Sequence, residues 1–378
     1  MPKHFLTLLT CLGLALATPL SHAAGVTAKS IIVGQSAPLT GPAAQLGIEF
    51  RDGAQAYFDH INAAGGVAGR QIVLKTLDDG YESERAAKNT QTLIEKEGAF
   101  ALFGYIGTPT SNASLPLINK EGIPFFAPFT GAQSLREPFN ENIFNIRASY
   151  YAETEKIVEN ITAINVKRIA VFYQNDAYGK AGLEGVMRAM KRRNIEVMLT
   201  ATVERNSVDV AAAVAKMKRA QPQAVIMVSA YTSCAAFIRA MHKDAESVPY
   251  FWNISFVGSQ ALSNELADEG RGVMISQVVP APWDERRPVV REYKQRYLTK
   301  PEREAGFVSL EGYIAAKVFV EGLKRAGAGL TRESFTKAMH GMSAYDTGGF
   351  VVRFSPTDHN ASDFVDLTVI TEGGKFVH

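Results

Sequence analysis

The sequence predicts an α/β protein made of two similar lobes, each with a parallel β-sheet covered by helices. Short apolar segments alternate with amphipathic segments of ~10–18 residues, which indicates repeated βαβ units. The alternation breaks near 147–151 and then restarts, which indicates a second lobe. Length supports two lobes, because removing residues 1–23 leaves 378 − 23 = 355 residues. One core stops growing at ~250–300 residues.

The elements of the first lobe are predicted from apolar runs and helical periodicity. The predicted strands are 30–35, 71–79, 99–105 and 123–128, and the predicted helices are 46–63, 83–97 and one that begins near Thr110. The second lobe repeats the scheme, with helices 151–164, 180–193, 208–219 and 232–243 and strands 167–173, 195–202, 223–229 and 250–254. Beyond these, scattered prolines separate further helices, and 348–370 is predicted to be hairpin-like β structure.

The first 23 residues are typical of a secretory signal peptide. Lys3 precedes an apolar run from Phe5 to about Ala17, and small residues occupy the −3 and −1 positions of a cut after Ala23. The run is shorter than the ~20 residues that a transmembrane helix needs. Cys11 leaves open the alternative that the protein is lipidated at this cysteine, although its position inside the apolar run argues against that. We therefore expect export, with cleavage after Ala23.

Composition argues against binding to nucleic acid or to a membrane surface. Loss of Lys3 leaves 40 − 1 = 39 basic residues against 38 acidic ones, whereas nucleic-acid binding calls for a clustered basic excess. Cys234 is the single cysteine after cleavage, so no intramolecular disulfide is expected. With 46% hydrophobic residues, the chain can be stabilised by burial of its core.

The loops that follow the predicted strands are rich in glycine, serine, threonine and asparagine. Ligands of open parallel sheets bind beyond the carboxyl ends of the strands. The loop 103–114, FGYIGTPTSNAS, also leads into a helix, whose first N–H groups suit an anionic group such as a carboxylate. A lone serine or threonine at such a place commonly caps the helix instead.

Motifs for catalysis, metal or cofactor binding are absent from the sequence. It has no G-x-S-x-G elbow, no G-x-x-x-x-G-K phosphate loop, no H-E-x-x-H and no cluster of cysteine or histidine. Asp78 and Asp79 are adjacent, but neighbouring residues of a strand point to opposite faces, which favours a structural role. We expect a binding protein without a cofactor rather than an enzyme.

Several motifs in a fixed order carry a resemblance to a known family. They are PLTGPAAQLG at 38–47, GAQAYFDHINAAGGVAG at 53–69, IGTPTS at 106–111, IPFFAPFTGA at 123–132 and RIAVFYQNDAYGKAG at 168–182. Over residues 26–370 the chain resembles type I periplasmic binding proteins, the leucine/isoleucine/valine-binding-like receptors of ABC importers.

The resemblance implies two Rossmann-like lobes joined by a three-stranded hinge that close on a small ligand bearing a carboxylate. Lobe one would comprise 26–147 plus 275–345, and lobe two 148–274 plus 346–378. The protein would be a periplasmic monomer that presents its ligand to ABC permease subunits in the inner membrane. The alternatives are a ligand-sensing module for a signalling or regulatory partner, and a secreted hydrolase or other enzyme.

The resemblance also implies binding residues in both lobes. Thr108 corresponds to a hydroxyl residue that binds the ligand's carboxylate, and Tyr178 and Tyr231 correspond to tyrosines that close over the ligand. The full predicted set is Gln45, Ile106, Gly107, Thr108, Phe129, Thr130, Gly131, Tyr151, Tyr178, Tyr231, Ser255 and Phe307.

One position departs from the amino-acid receptors of that family. They commonly have an acidic residue where this chain has Ser255, to pair with the ligand's ammonium. Because a charge-assisted contact is stronger than a neutral one, its absence favours an organic or aromatic acid over an α-amino acid. The alternative is that another acid, such as Glu311, pairs with the ammonium. The family's lobe-one disulfide is also missing, since Tyr81 and Gly107 take its positions.

Overall fold

The computed structural model describes residues 24–243 and 247–378, which form two α/β lobes. The fold class predicted from the sequence is confirmed. The predicted signal peptide and Cys11 lie outside the described residues.

The first lobe is built on a five-stranded parallel sheet with the strand order β2-β1-β3-β4-β5. Most of its elements lie where periodicity predicted them, and β5, only two residues long, was not predicted. The elements are β1 (Ser30–Ala37), α1 (Ala44–Ala63), β2 (Gln71–Asp78), α2 (Ser83–Glu95), β3 (Ala101–Phe103), α3 (Thr108–Glu121), β4 (Phe125–Phe126) and β5 (Ile143–Phe144).

The second lobe is built on a seven-stranded sheet with the order β14-β13-β10-β9-β8-β6-β7. β6 to β10 are parallel, and the last two strands of the chain extend the sheet in antiparallel fashion. The elements are α4 (Tyr150–Ala163), β6 (Ile169–Gln174), α5 (Ala177–Lys191), β7 (Leu199–Val203), α6 (Ala211–Ala220), β8 (Ala224–Val228), α7 (Tyr231–His242), β9 (Tyr250–Asn253), α8 (Ser259–Leu266), β10 (Met274–Gln277), β13 (Asp366–Ile370) and β14 (Phe376–Val377).

Between β10 and β13 the chain returns to the first lobe. Phe319 of the long helix α10 packs on the first sheet, with its ring centroid 5.2 Å from that of Phe126 and 5.8 Å from that of Phe103. The returning elements are α9 (Pro288–Tyr297), α10 (Phe307–Ala326), α11 (Arg332–His340), β11 (Tyr345–Asp346) and β12 (Val351–Val352).

Strand pairing moves two of the predicted lobe boundaries. β10 pairs with β9 and β13, so the chain leaves the second lobe after Gln277. The predicted boundary was between residues 274 and 275. Phe354 packs against Phe144 of the first lobe, with ring centroids 5.8 Å apart, so the chain is still in the first lobe beyond residues 345 and 346. The next crossing comes near Ala361, whose N–H donates to the Asn145 carbonyl in the first crossing. The segment 348–370 is therefore not one hairpin, because β12 pairs with β11 and β13 pairs with β10.

The chain crosses between the lobes three times, after β5, after β10 and after β12. Backbone hydrogen bonds join the first crossing to the third: the Asn145 N–H donates to the His359 carbonyl at 2.9 Å, and the Ala361 N–H donates to the Asn145 carbonyl at 2.9 Å. These bonds hold two crossings side by side at the lobe junction.

Two glycines let α1 and α10 approach closely in the first lobe. A Cβ added at Gly53 would lie 1.9 Å from the Ser309 carbonyl oxygen, and one added at Gly312 would lie 2.1 Å from the Phe50 carbonyl oxygen. Real Cβ atoms do not approach backbone so closely, so each helix needs glycine where it meets the backbone of the other. This contact joins residues that are far apart in the sequence.

Replacing Gly312 by alanine should force α1 and α10 apart. We expect the Gly312→Ala variant to lose about 1–3 kcal/mol of unfolding free energy, as overpacked cores do, measured by urea unfolding. Gly329→Ala is the matched control, because nothing lies within 4 Å of a Cβ added there. Equal stability of the two variants would contradict the close-packing argument.

Candidate functional site

The strand ends of the two sheets face each other across a cleft. In both lobes the strand order reverses beside the first strand, between β1 and β3 and between β6 and β8, which is where ligands of such sheets bind. Gln174, the last residue of β6, donates from Nε2 to the Tyr81 hydroxyl, in the loop after β2, at 3.3 Å. The carboxyl end of β6 in the second lobe is thus in contact with the loop after β2 in the first lobe.

A chain of hydroxyl groups lies at the start of α3. The Thr108 and Thr130 hydroxyl oxygens are 2.7 Å apart, and Thr130 also donates to the Tyr150 hydroxyl at 3.2 Å. All three side chains are almost fully buried. Thr108 begins α3. The N-cap residue is Gly107, and among the described residues no side chain forms a capping hydrogen bond at this end of the helix. Pro109 contributes no N–H to the first turn. The other N–H groups of that turn, the helix dipole and these hydroxyls together suit an anionic group.

Tyr81 covers the start of α3. From the sequence it was noted only as a residue that takes one position of the family's missing disulfide. A Cβ added at Gly107 would lie 2.3 Å from the Tyr81 ring, and Gly107 has a φ of +97°, so this position needs glycine for two reasons. Tyr81 itself is fully buried and has a φ of +62°, uncommon for tyrosine. Its loop was already a predicted binding loop, but nothing local marked the side chain as buried.

An aromatic cluster lies at the junction between the lobes. The Phe256 ring lies 4.3 Å from the Tyr178 ring, 5.5 Å from the Phe129 ring and 6.0 Å from the Tyr81 ring. Tyr150 joins the cluster at 5.6 Å from Tyr178. We call these five residues the aromatic cluster. Phe129 and Tyr178 were predicted as binding residues, whereas Tyr81, Tyr150 and Phe256 were missed.

The structure places two predicted aromatics away from this cluster. The Tyr151 hydroxyl donates to Glu184 Oε1 at 2.6 Å, and the Arg188 guanidinium lies 4.9 Å from its ring, so Tyr151 packs on α5. Its neighbour Tyr150 faces the cleft instead. Phe307 packs against Trp283, with ring centroids 5.4 Å apart.

The remaining predicted residues lie around the cleft. Ile106 is buried and forms an isolated parallel β-bridge with Phe129. A Cβ added at Gly131 would lie 2.6 Å from the Tyr150 ring. Burial raises the pKa of Tyr231, and a backbone hydrogen bond with Gln45 opposes that shift.

A buried carboxyl group lies directly beside Ser255. Glu153 Oε2 accepts hydrogen bonds from the Ser255 N–H at 2.8 Å and from Ser276 Oγ at 2.6 Å. Its Oε1 has no hydrogen-bond partner among the described residues. Burial raises the pKa of Glu153, and the Arg147 charge opposes the shift. The second lobe therefore has an acid at this place, supplied by α4 instead of by the segment after β9.

Glu311, the alternative partner for a ligand ammonium, is already paired. Arg147 Nε and Nη2 donate to its two carboxylate oxygens, each at 2.9 Å, and both side chains are buried. The bidentate geometry uses both Glu311 oxygens, so Glu153 is the better placed acid for a ligand amino group.

Asp78 and Asp79 point in different directions, as expected of neighbours at a strand end. Asp78 accepts from Thr40 Oγ1 at 2.7 Å and from the Leu39 N–H at 2.8 Å. Burial alone would raise its pKa, but such hydrogen bonds hold the pKa of Asp78 well below its usual range. Asp79 is fully buried, accepts from Ser36 Oγ and the Tyr81 N–H, and has a pKa raised by burial to about 6. Asp79 thus supports the Tyr81 loop.

Neither a membrane-spanning helix nor a metal cluster is found in the parts of the chain that the structure describes. None of the helices in 24–243 and 247–378 has the length and apolar character to cross a bilayer. In those ranges, no three histidine, cysteine, aspartate or glutamate side chains gather as metal ligands would.

Two lobes with facing strand ends and a buried polar cleft define a class of two-lobed binding proteins. A family model described as periplasmic binding protein matches residues 30–375. The chain therefore belongs to the periplasmic binding protein family, and it is of the type I, leucine/isoleucine/valine-binding-like kind. The family consists of substrate-binding proteins for small molecules.

Relatives are similar over nearly the whole chain. A Brucella melitensis protein named Leu/Ile/Val-binding protein homolog 3 is 23% identical over 343 residues, covering 89% of this chain and 90% of its own. The crystal structure of a possible leucine/isoleucine/valine-binding protein from Rhodopirellula baltica has 35% identity and a TM-score of 0.88, covering 96% of this chain and 98% of its own. A substrate-binding periplasmic protein from Ralstonia solanacearum has 30% identity and a TM-score of 0.86, covering 92% and 99%.

The raised pKa of Asp79 predicts a pH-dependent cost to stability. Because the folded-state pKa of about 6 exceeds the ordinary 3.8, the folded protein binds the proton more tightly. The free energy of unfolding therefore falls as pH rises from about 4 to about 6 and stays lower above that. Asp79→Asn should gain about 2 kcal/mol relative to the parent protein between pH 4 and pH 7.

Urea unfolding at several pH values measures this difference. Asp78→Asn is the matched control with the opposite sign, because a lowered pKa contributes stability that is lost as pH falls. Parallel pH profiles for the parent protein and Asp79→Asn would contradict the assignment.

Proposed function

We propose that this protein is the periplasmic receptor of an ABC importer and captures a small carboxylate-bearing molecule between its two lobes. The observation that carries the proposal is the buried chain of Thr108, Thr130 and Tyr150 hydroxyls at the uncapped start of α3. An acid group would be held there by neutral donors and a helix N-terminus. The aromatic cluster would exclude water around it.

Contacts at the rim support capture by closure. Arg205, in the loop after β7, donates to Ser83 Oγ of the first lobe at 2.9 Å. Asn206 donates to the Gly80 carbonyl at 3.0 Å and to Glu82 Oε1 at 2.7 Å. These bonds join the lobes without using the hydroxyl chain. Opening the cleft would break them, so they would contribute to the closed form that is presented to the permease.

Two ligand classes fit the cleft. The names of the relatives point to branched-chain amino acids, and the unpaired Glu153 Oε1 would accept a hydrogen bond from an amino group. The aromatic cluster would equally suit an organic or aromatic acid without an amino group. Because Glu153 supplies a carboxyl group beside Ser255, the lack of an acidic residue at position 255 no longer argues against an amino acid as the ligand.

The proposal includes no catalytic step, cofactor or metal. The receptor would act as a monomer after cleavage behind Ala23, with the ligand and the permease subunits of the inner membrane as its partners. Family membership and the predicted signal peptide support this location.

A thermal-shift panel tests the function and identifies the ligand class. The mature protein is purified through an unfolding step, which removes carried-over ligand, and then refolded. Leucine, isoleucine and valine are compared with 4-methylpentanoate, benzoate and other carboxylates lacking the amino group. A ligand at ~100 times its Kd should add about 2.7 kcal/mol of stability. No shift with any carboxylate would contradict the proposal.

Replacing Thr108 by valine tests the carboxylate site directly. The change keeps the side-chain shape but removes the hydroxyl that bonds to Thr130. We expect binding to weaken at least about tenfold, the effect of about 1.4 kcal/mol, with the fold intact, as measured by titration calorimetry. Thr162→Val is the matched control, because the Thr162 hydroxyl bonds only within α4. Unchanged affinity in Thr108→Val would remove Thr108 from the site.

A further inference from the structure

Arg147 is a buried cation, and one nitrogen of its guanidinium group makes no hydrogen bond within the described residues. It lies where the chain first crosses between the lobes, and its side chain is 1% exposed. Nε and Nη2 are used by Glu311, and the guanidinium lies 4.1 Å from the centre of the Phe129 ring. The third nitrogen, Nη1, has no hydrogen-bond partner among the described residues.

The guanidinium lies beside the hydroxyl chain. Phe129, which it covers, is followed directly by Thr130, whose hydroxyl bonds to Thr108 and Tyr150. Burial raises the pKa of Tyr150, and the positive charge of Arg147 opposes that shift. The first crossing therefore brings a fixed positive charge to the proposed carboxylate site.

The pairing with Glu311 explains how such a charge can stay buried without a ligand. A lone buried cation is strongly disfavoured, whereas a bidentate pair is tolerated. Glu311 occupies one edge of the guanidinium, and Nη1 keeps two N–H donors. Two other charged side chains nearby keep an unpaired atom, Glu153 at Oε1 and Arg136 at Nε. The Glu153 carboxyl does not form an ion pair with Arg147. A planar carboxylate is the acceptor that guanidinium groups bind best.

We propose that Arg147 is a binding residue for the ligand's acid group, to which Nη1 donates while Nε and Nη2 stay on Glu311. This inference rests on the proposed function, because it names the charged partner within the same site. Thr108, Thr130 and Tyr150 then supply neutral hydrogen bonds, and Arg147 makes the site select an ionised carboxylate over an uncharged group of the same shape.

Carboxylates and their primary amides test this selection. Leucine is compared with leucinamide, and benzoate with benzamide, by titration calorimetry on the ligand-free mature protein. A hydrogen bond to a charged group contributes about 1.5–3 kcal/mol. The parent protein should therefore prefer the carboxylate about 10- to 100-fold. The double variant Arg147→Gln/Glu311→Gln removes both charges together, leaves no lone buried ion, and should bring the preference to within about threefold.

Two further variants keep the test decisive. Arg193→Gln/Glu155→Gln removes a second arginine–glutamate pair, joined at 2.7 Å on the second lobe, and should leave the preference unchanged. Glu311→Gln alone frees the whole guanidinium, so the carboxylate should stabilise this variant more than it stabilises the parent protein in thermal unfolding. This second readout applies even if the double variant does not fold.

The outcomes separate this inference from the proposed function. If no carboxylate of the thermal-shift panel binds the parent protein, the proposed function fails, and the role of Arg147 fails with it. If a carboxylate binds but the double variant keeps its preference over the amide, only the inference is overturned. An unchanged ligand-induced shift in Glu311→Gln would overturn it as well. Loss of the preference together with a larger shift in Glu311→Gln would support it.

Discussion

The contact between α1 and α10 is the constraint on which the rest of the architecture depends. Gly53 and Gly312 let the two helices meet backbone to backbone, so residues beyond 300 become part of the lobe that begins at residue 26. A chain that builds one lobe, then the other, and then returns must cross the junction repeatedly. The crossings hold the lobes side by side, and the proposed binding cleft lies between them.

Buried charge is concentrated at the same junction. Arg147 follows the first crossing, Glu311 lies on α10 and Glu153 lies on α4, so three charged groups from three elements meet near the cleft. Burying charge is costly unless each group is paired. The structure pairs Arg147 with Glu311 and gives Glu153 two hydrogen-bond donors, while each of Arg147 and Glu153 keeps one free polar atom. Such incomplete pairing is expected of a site that is completed by a ligand.

Much of the fold and part of the site could be predicted from the sequence, and the errors have physical causes. Thr108, Thr130, Phe129 and Tyr178 were predicted from the resemblance to the family, whose motifs occur here in order, and the structure places all four at the lobe junction. Tyr151 was chosen over Tyr150, but on a helix adjacent residues point about 100° apart. The Ser149 cap, which accepts from the Ala152 N–H, begins α4 so that Tyr150 faces the cleft.

The sequence by itself determined the alternation of strands and helices and the family, because the first follows from local patterns and the second from the order of motifs. Only the tertiary structure decided which side chains meet across the cleft. Phe256 reaches the aromatic cluster, and Glu153 takes the place of an acid at Ser255, through contacts between distant segments. Such contacts depend on how helices and strands pack, and packing is set by the whole chain rather than by any window of it.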